Sequence, residues 1–226
     1  MIPFRMTGNT YIENAVSGKG SFGEEAGLKA AEFMQKMGDF YQIGWTTADS
    51  NTMTDLFASG QTAMIYNGTW ALADVTDENK ELLDDIDYFT MPVYSENDGT
   101  AATDFFANSG IGTAVRADAM TDQMKDFIGY LLEHYADAAL SHNILPSVMP
   151  DAETIAGLPE IYQQVIKDVE GVAQYAKCWD VVIDSASVEP LEKETTSLIL
   201  GEQSPEEWAA NMDAIVKENL ENIKSE

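Results

Sequence analysis

Helical periodicity runs through most of this chain while strand-like stretches are few and short, and that imbalance limits the possible folds more than any other feature. Only residues 62–67, 87–94 and 111–115 read as strands. The second of these carries Pro92, which lacks a backbone N–H and confines a strand to a sheet edge or to a crossing between lobes. Elsewhere apolar residues recur at helical spacing. Leu28, Ala31, Phe33, Met34 and Met37, behind the capping-box pair Ser21 and Glu24, predict a helix over 22–38. Phe127, Ile128, Leu131, Leu132 and Tyr135 predict a long amphipathic helix over 121–140. Further helices are expected over 52–59, 159–170 and 188–200, with a short one beginning near Trp70. A last helix begins at Ser204-Pro205-Glu206-Glu207, where an N-cap serine, a first-turn proline and a capping-box glutamate coincide, and runs to about 222. Helices alternating with strands indicate an α/β architecture. Three strands are too few for a complete doubly wound sheet in a chain of 226 residues.

Charge removes several classes of partner. Twelve basic residues against 39 acidic ones give a formal charge of −27, which repels phosphate backbones and anionic lipid heads, so nucleic acid and membrane-surface partners are disfavoured and none is expected. A single cysteine, Cys178, and two histidines, His134 and His142, supply no zinc-spaced cluster, and neither a metal nor a cofactor is expected. Both histidines read as ordinary surface or helix-end residues, and Cys178 has no spaced histidine partner to activate it. The chain contains no nucleophile elbow, no phosphate loop, no HExxH and no dinucleotide fingerprint. The acidic stretch 74–85 lacks the alternating oxygen ligands and central glycine of a calcium loop and reads as a solvated face. With no catalytic residues identified, the remaining enzymatic reading is a glycoside hydrolase fragment, which needs only two carboxylates at a suitable separation. No apolar run is long enough to span a bilayer, and the start of the sequence carries no signal-peptide core, which implies either a cytosolic protein or a piece of a longer one.

The aromatic residues carry the more specific information. A sugar presents an apolar face of C–H groups and a rim of hydroxyls, so its site wants a flat ring flanked by amides or carboxylates. Trp70 following Asn67 and Gly68, Phe105 and Phe106 beside Asp104 and Asn108, and Tyr175 with Trp179 beside Asp180 all meet that requirement. Trp208, Phe33, Phe127 and Tyr130 sit at amphipathic helix positions and are expected to pack. Trp70 is open to two readings, a core plug or an outward platform.

The stretch LFASGQTAMIYNGTWAL resembles the signature of the extracellular solute-binding proteins of carbohydrate-uptake ABC transporters, the maltose-binding-protein-like group (family 1). Those proteins show a helix ending in F-x-x-G-[KQE]-x-A-M, a strand, then G-x-W; Phe57, Gly60, Gln61, Ala63, Met64, Gly68 and Trp70 match here. The later order of FTMPVY, ANSGIGTAV, YLLEHYADAAL, a Leu-Pro loop and SPEEWA agrees along nearly the whole chain. The resemblance implies a two-lobed α/β fold of the periplasmic-binding-protein type (type II), of which this chain holds the C-terminal lobe and a partial N-terminal-lobe segment. Residues 1–92 and 141–226 would belong to the second lobe and 93–140 to the first, the export signal and most of the first lobe being absent. It further implies a non-catalytic sugar or oligosaccharide receptor, extracellular as a cell-surface lipoprotein or periplasmic, partnered by ABC permease membrane subunits. Trp70 would be the platform, with Asn67 and Gly68 shaping its turn. Phe105, Phe106 and Asn108 would face the cleft from the first-lobe side, and Trp179, with Tyr175 nearby, would add an aromatic near the hinge. A first-lobe segment without its neighbours would expose apolar surface, so the chain is expected either to rearrange locally or to form a homodimer through that segment.

Overall fold

The computed structural model describes residues 11–75, 85–90, 104–107, 114–146, 148, 150–172, 174–177 and 182–225. In chain order its helices are α1 (Tyr11–Val16), α2 (Glu25–Gly38), α3 (Ser50–Ala58), α4 (Asp122–Leu140), α5 (Ala152–Ala156), α6 (Glu160–Glu170), α7 (Ser185–Ile199) and α8 (Pro205–Ser225). Short 3-10 turns cover Trp45–Thr47, Thr69–Ala73 and Ala117–Ala119. Strands β1 (Asp104–Ala107) and β2 (Gln174–Lys177) pair in parallel, with Phe105 in register with Tyr175. The chain divides into two compact units, one from 1–46, 90–109 and 171–226, the other from 47–89 and 110–170.

The first unit is built where three apolar helix stripes meet. On α2 these are Gly27, Ala30, Ala31 and Met34; on α7, Leu191 and Leu198; on α8, Trp208, Ala209, Met212 and Val216. Trp208 is fully buried, as its helical position predicts, and meets Phe22 edge to face at 5.5 Å. Its indole N–H donates to Thr195 Oγ1 at 3.4 Å, so the polar end of the ring is not stranded in the core. Two small side chains, Ala30 and Ala31, let the helices close on that ring. Gly27 is equally constrained, since a Cβ there would lie 2.0 Å from the Phe22 carbonyl oxygen. Capping sets the helix ends. Ser204 Oγ accepts from Glu207 N at 3.2 Å while the Glu207 carboxylate accepts from Ser204 N at 2.9 Å, the reciprocal box expected at the start of α8.

The box expected at Ser21 and Glu24 forms differently. Glu24 accepts from Ser21 N at 3.1 Å, but the Ser21 hydroxyl donates to Asp213 of α8 at 2.5 Å. Asp213 also accepts the Phe22 N–H at 2.8 Å, so this turn is capped from another helix and α2 begins at Glu25 rather than at 22.

Among the described residues of the second unit, Thr54, Ala71, Val75, Ala139, Pro146, Tyr162, Val165 and Ile166 are buried. Tyr162, Val165 and Ile166 form one stripe on α6, and the Tyr162 hydroxyl donates to the Asn143 carbonyl at 2.6 Å, tying α6 to the turn after α4. Tyr88 donates to the Asp168 carboxylate and fastens residues 86–90 to α6. Helix α4 begins at its Thr121 cap, as the pattern predicts. Its aromatic residues do not pack, however: Phe127 and Tyr130 are exposed, contrary to the expectation drawn from their helical spacing. A stripe shows which face seeks burial without specifying what covers it.

The strand expectations fail in a related way. Residues 62–67 are not in a strand, and neither are 87–90 nor 114–115; the remainders of those two stretches, 91–94 and 111–113, lie outside the described residues. The strand that does form, β1, falls in the stretch read as a loop, because its ladder partner β2 comes from 70 residues further along the chain. Strand state is decided by such partners rather than by local composition.

Candidate functional site

Helix α3 is capped by Asp49, whose carboxylate accepts from both Thr52 Oγ1 and Thr52 N at 2.7 Å, bonds that favour the ionised form and hold its pKa below the ordinary carboxylate range. It ends at Gly60. Gly60 N donates to Phe57 O at 2.9 Å and Gln61 N to Leu56 O at 2.8 Å, a Schellman close that needs left-handed backbone, and Gly60 has φ +69°. This is the physical reason for the glycine in FASGQ.

Beyond it the chain surfaces. Met64 and Tyr66 are exposed, Asn67 Oδ1 accepts the Gly68 N–H at 2.9 Å, and the 3-10 turn Thr69–Ala73 follows. Ala71 and Val75 are buried and anchor this turn, which leaves Trp70 directed outward with 63% of its surface exposed. Gly68 has ordinary extended φ of −105°, so its backbone would admit any residue. What excludes a side chain is the indole itself: a Cβ on Gly68 would lie 2.2 Å from Trp70 Cζ3. The ring is folded back over bare backbone and presents a broad face to solvent. The plug reading of Trp70 is therefore wrong for this structure.

The other predicted site residues fall elsewhere in the chain. Phe105 and Phe106 lie on β1, in a strand instead of the expected loop, and Tyr175 lies exposed on β2, where the register sets it beside Phe105. These belong to the first unit, whereas Asn67, Gly68 and Trp70 belong to the second. Asn108, Trp179 and Cys178 lie outside the described residues. Sequence reasoning missed the exposure of Met64 and Tyr66, which a strand reading assigns to pairing. It also missed the loop after α2, where Phe40 and Ile43 are exposed and Tyr41 meets the Trp45 ring at 5.2 Å. The available signal was four large apolar residues within DFYQIGW, too many for a solvated loop without a surface role.

Among the described residues, local bonds hold the pKa of four carboxyls below the ordinary range: Glu25 and Glu189 through Lys29 and Lys193 one turn on, Asp49 through Thr52, and Asp151 through Thr154. Among the described residues no group of His, Cys, Asp and Glu is arranged to hold a metal ion, and no helix is long and apolar enough to cross a membrane.

Residues 7–156 match the family model of the bacterial extracellular solute-binding proteins, a span that includes the Trp70 turn. Among solved structures, the chain is similar to one from a study of xylan utilization by the thermophilic bacterium Caldanaerobius polysaccharolyticus. The TM-score is 0.75 at 19% identity, covering 95% of this chain and 56% of the other. It is also similar to a chitin oligosaccharide binding protein, with TM-score 0.74 and 21% identity over 96% of this chain and 55% of the other. At that identity the likeness is one of fold, and the chain spans about half the length of the structures it matches. No match was found among curated protein sequences.

Proposed function

Because the chain belongs to the bacterial extracellular solute-binding proteins, we propose that it is part of the sugar-binding component of an ABC transporter, taking a sugar or oligosaccharide without catalysis. The observation that carries this reading is Trp70, exposed, folded over Gly68 and anchored through Ala71 and Val75. A planar ring held at fixed orientation gives the C–H face of a pyranose a stacking surface at little entropic cost. Asn67 keeps its amide nitrogen available for hydroxyl groups, since its Oδ1 is engaged by Gly68 N. Phe105, Phe106, Asn108, Tyr175 and Trp179 are the further ligand-binding residues of this reading, assigned by the family resemblance. In this reading 1–92 and 141–226 form the second lobe of a type II periplasmic-binding-protein fold and 93–140 belongs to the first. Ligand contacts from both lobes favour the closed state and present it to permease subunits at the outer face of the membrane. The chain's own self-association through the 93–140 segment is the remaining partner. That solved structures of like fold come from xylan utilization and chitin oligosaccharide binding supports an oligosaccharide as the ligand class.

A thermal-shift panel of xylo-, chito- and malto-oligosaccharides against the chain tests the reading. The expected result is a concentration-dependent rise in Tm with one class, lost in Trp70→Ala. A panel in which no sugar moves the wild-type Tm, or one in which Trp70→Ala responds as the wild type does, overturns it.

A further inference from the structure

Helix α4 is 19 residues long, about 28 Å at the usual rise. The principal helix packings among the described elements are α7 on α8 and α2 on both, and α4 takes part in none of them. Its buried residue is Ala139, near the C-terminal end. Phe127, Tyr130, Leu131, Leu132 and Tyr135 are each between 40% and 71% exposed. At about 100° per residue, these five and Ile128 occupy one broad arc of the helix. The acids Asp122, Asp126, Glu133 and Asp137 fall within about 60° of arc on the opposite side. The apolar arc therefore contains no acidic residue, although the whole chain carries a charge of −27.

We propose that this face of α4 is the contact surface between two copies of the chain, paired antiparallel about a two-fold axis near Leu131. The inference rests on the self-association proposed above through 93–140 and assigns it to one face of α4; it is independent of sugar binding. Two-fold pairing about Leu131 sets Leu131 against its own copy and Phe127 at the level of the second copy's Tyr135, so large apolar groups meet along the whole seam. All four acids of each copy stay on the outer side of the pair, which keeps like charges out of the contact. Five half-exposed large side chains offer roughly 100 Å² each, so two copies bury on the order of 1,000 Å², the lower bound for a specific interface. The result is a weak, concentration-dependent dimer. Because the opposing charge is general and lies outside the contact, its repulsion is screened by salt.

Sedimentation velocity on the chain over a hundredfold concentration range, at low and at high salt, reads this directly. A reversible monomer–dimer equilibrium is expected, tightening at least threefold between low and high salt. Leu131→Glu is expected to remain monomeric throughout with an unchanged far-ultraviolet spectrum, and Glu133→Gln, on the outer side, to dimerise like the wild type. A wild type that stays monomeric at every concentration and salt overturns the proposal. So does a Leu131→Glu variant that dimerises normally, growth beyond the dimer, or a dimer that salt dissociates.

Discussion

One tryptophan from each of the two units shows apolar surface used in opposite ways. In the first, Trp208 is fully enclosed by Phe22, Leu191 and the small residues of α2. In the second, Trp70 is largely open, and Phe127, Tyr130, Leu131 and Leu132 are exposed along α4. The difference lies in what faces them: Trp208 meets two other helices carrying matching stripes, whereas Trp70 is displayed by a turn whose buried anchors, Ala71 and Val75, lie just after it. A large ring stabilises the fold where it is enclosed, and where it is displayed its contribution passes to whatever binds.

Truncating each ring should separate the two roles most sharply. Trp208→Ala is expected to lose about 3–5 kcal/mol of unfolding free energy, the range for emptying a large core site. Trp70→Ala should stay within about 0.5 kcal/mol of the wild type, as an exposed position does. Chemical denaturation of both variants is the measurement, and comparable losses would erase the distinction.

A smaller effect tests the scaffold under Trp70. Gly60→Ala forces a side chain into left-handed backbone at φ +69° and should cost about 1–2 kcal/mol. The space around a Cβ there is open, so the penalty is purely conformational. In the first unit, Ser204→Ala removes the α8 cap and should cost about 1 kcal/mol.

Alkaline pH offers a titration of Tyr162 in the second unit, to be separated by mutation from Tyr11 and Tyr41 of the first, whose hydroxyls burial also pushes up. Burial pushes the Tyr162 hydroxyl up to about 12. A tyrosine ionises near pH 10 when unfolded, so between those values the folded state holds a proton that the unfolded state has released. Stability from this group is therefore complete below about pH 10 and falls as pH rises towards 12. In Tyr162→Phe that part of the alkaline decline should vanish, together with about 1 kcal/mol from the lost bond to Asn143. An unchanged slope in the variant would place the titration elsewhere.

What could be read from sequence divides between features decided locally and features decided by remote partners, in both units. The α8 capping box, the packing of Trp208, the extent of α4 and the close at Gly60 were all legible, because each is decided within a few residues or by one helical stripe. The strand expected at 62–67 was not realised, and β1 with β2 went unseen, because strand pairing depends on partners remote in sequence. The exposure of Phe127 and Tyr130 was illegible for a further reason: amphipathicity is identical in a helix that has found its cover and one that has not. For the candidate site, the sequence singled out Trp70 and Gly68, but the reason for Gly68 is steric. It makes room for the indole, while its φ is unremarkable.

The most direct test of the displayed tryptophan is the set of indole N–H signals in a nitrogen-15-labelled sample titrated with the oligosaccharide that raises the Tm. The Trp70 indole is expected to shift progressively with ligand, while that of Trp208, bonded to Thr195 inside the core, stays in place. Saturable sugar binding with an unmoved Trp70 signal would contradict the account.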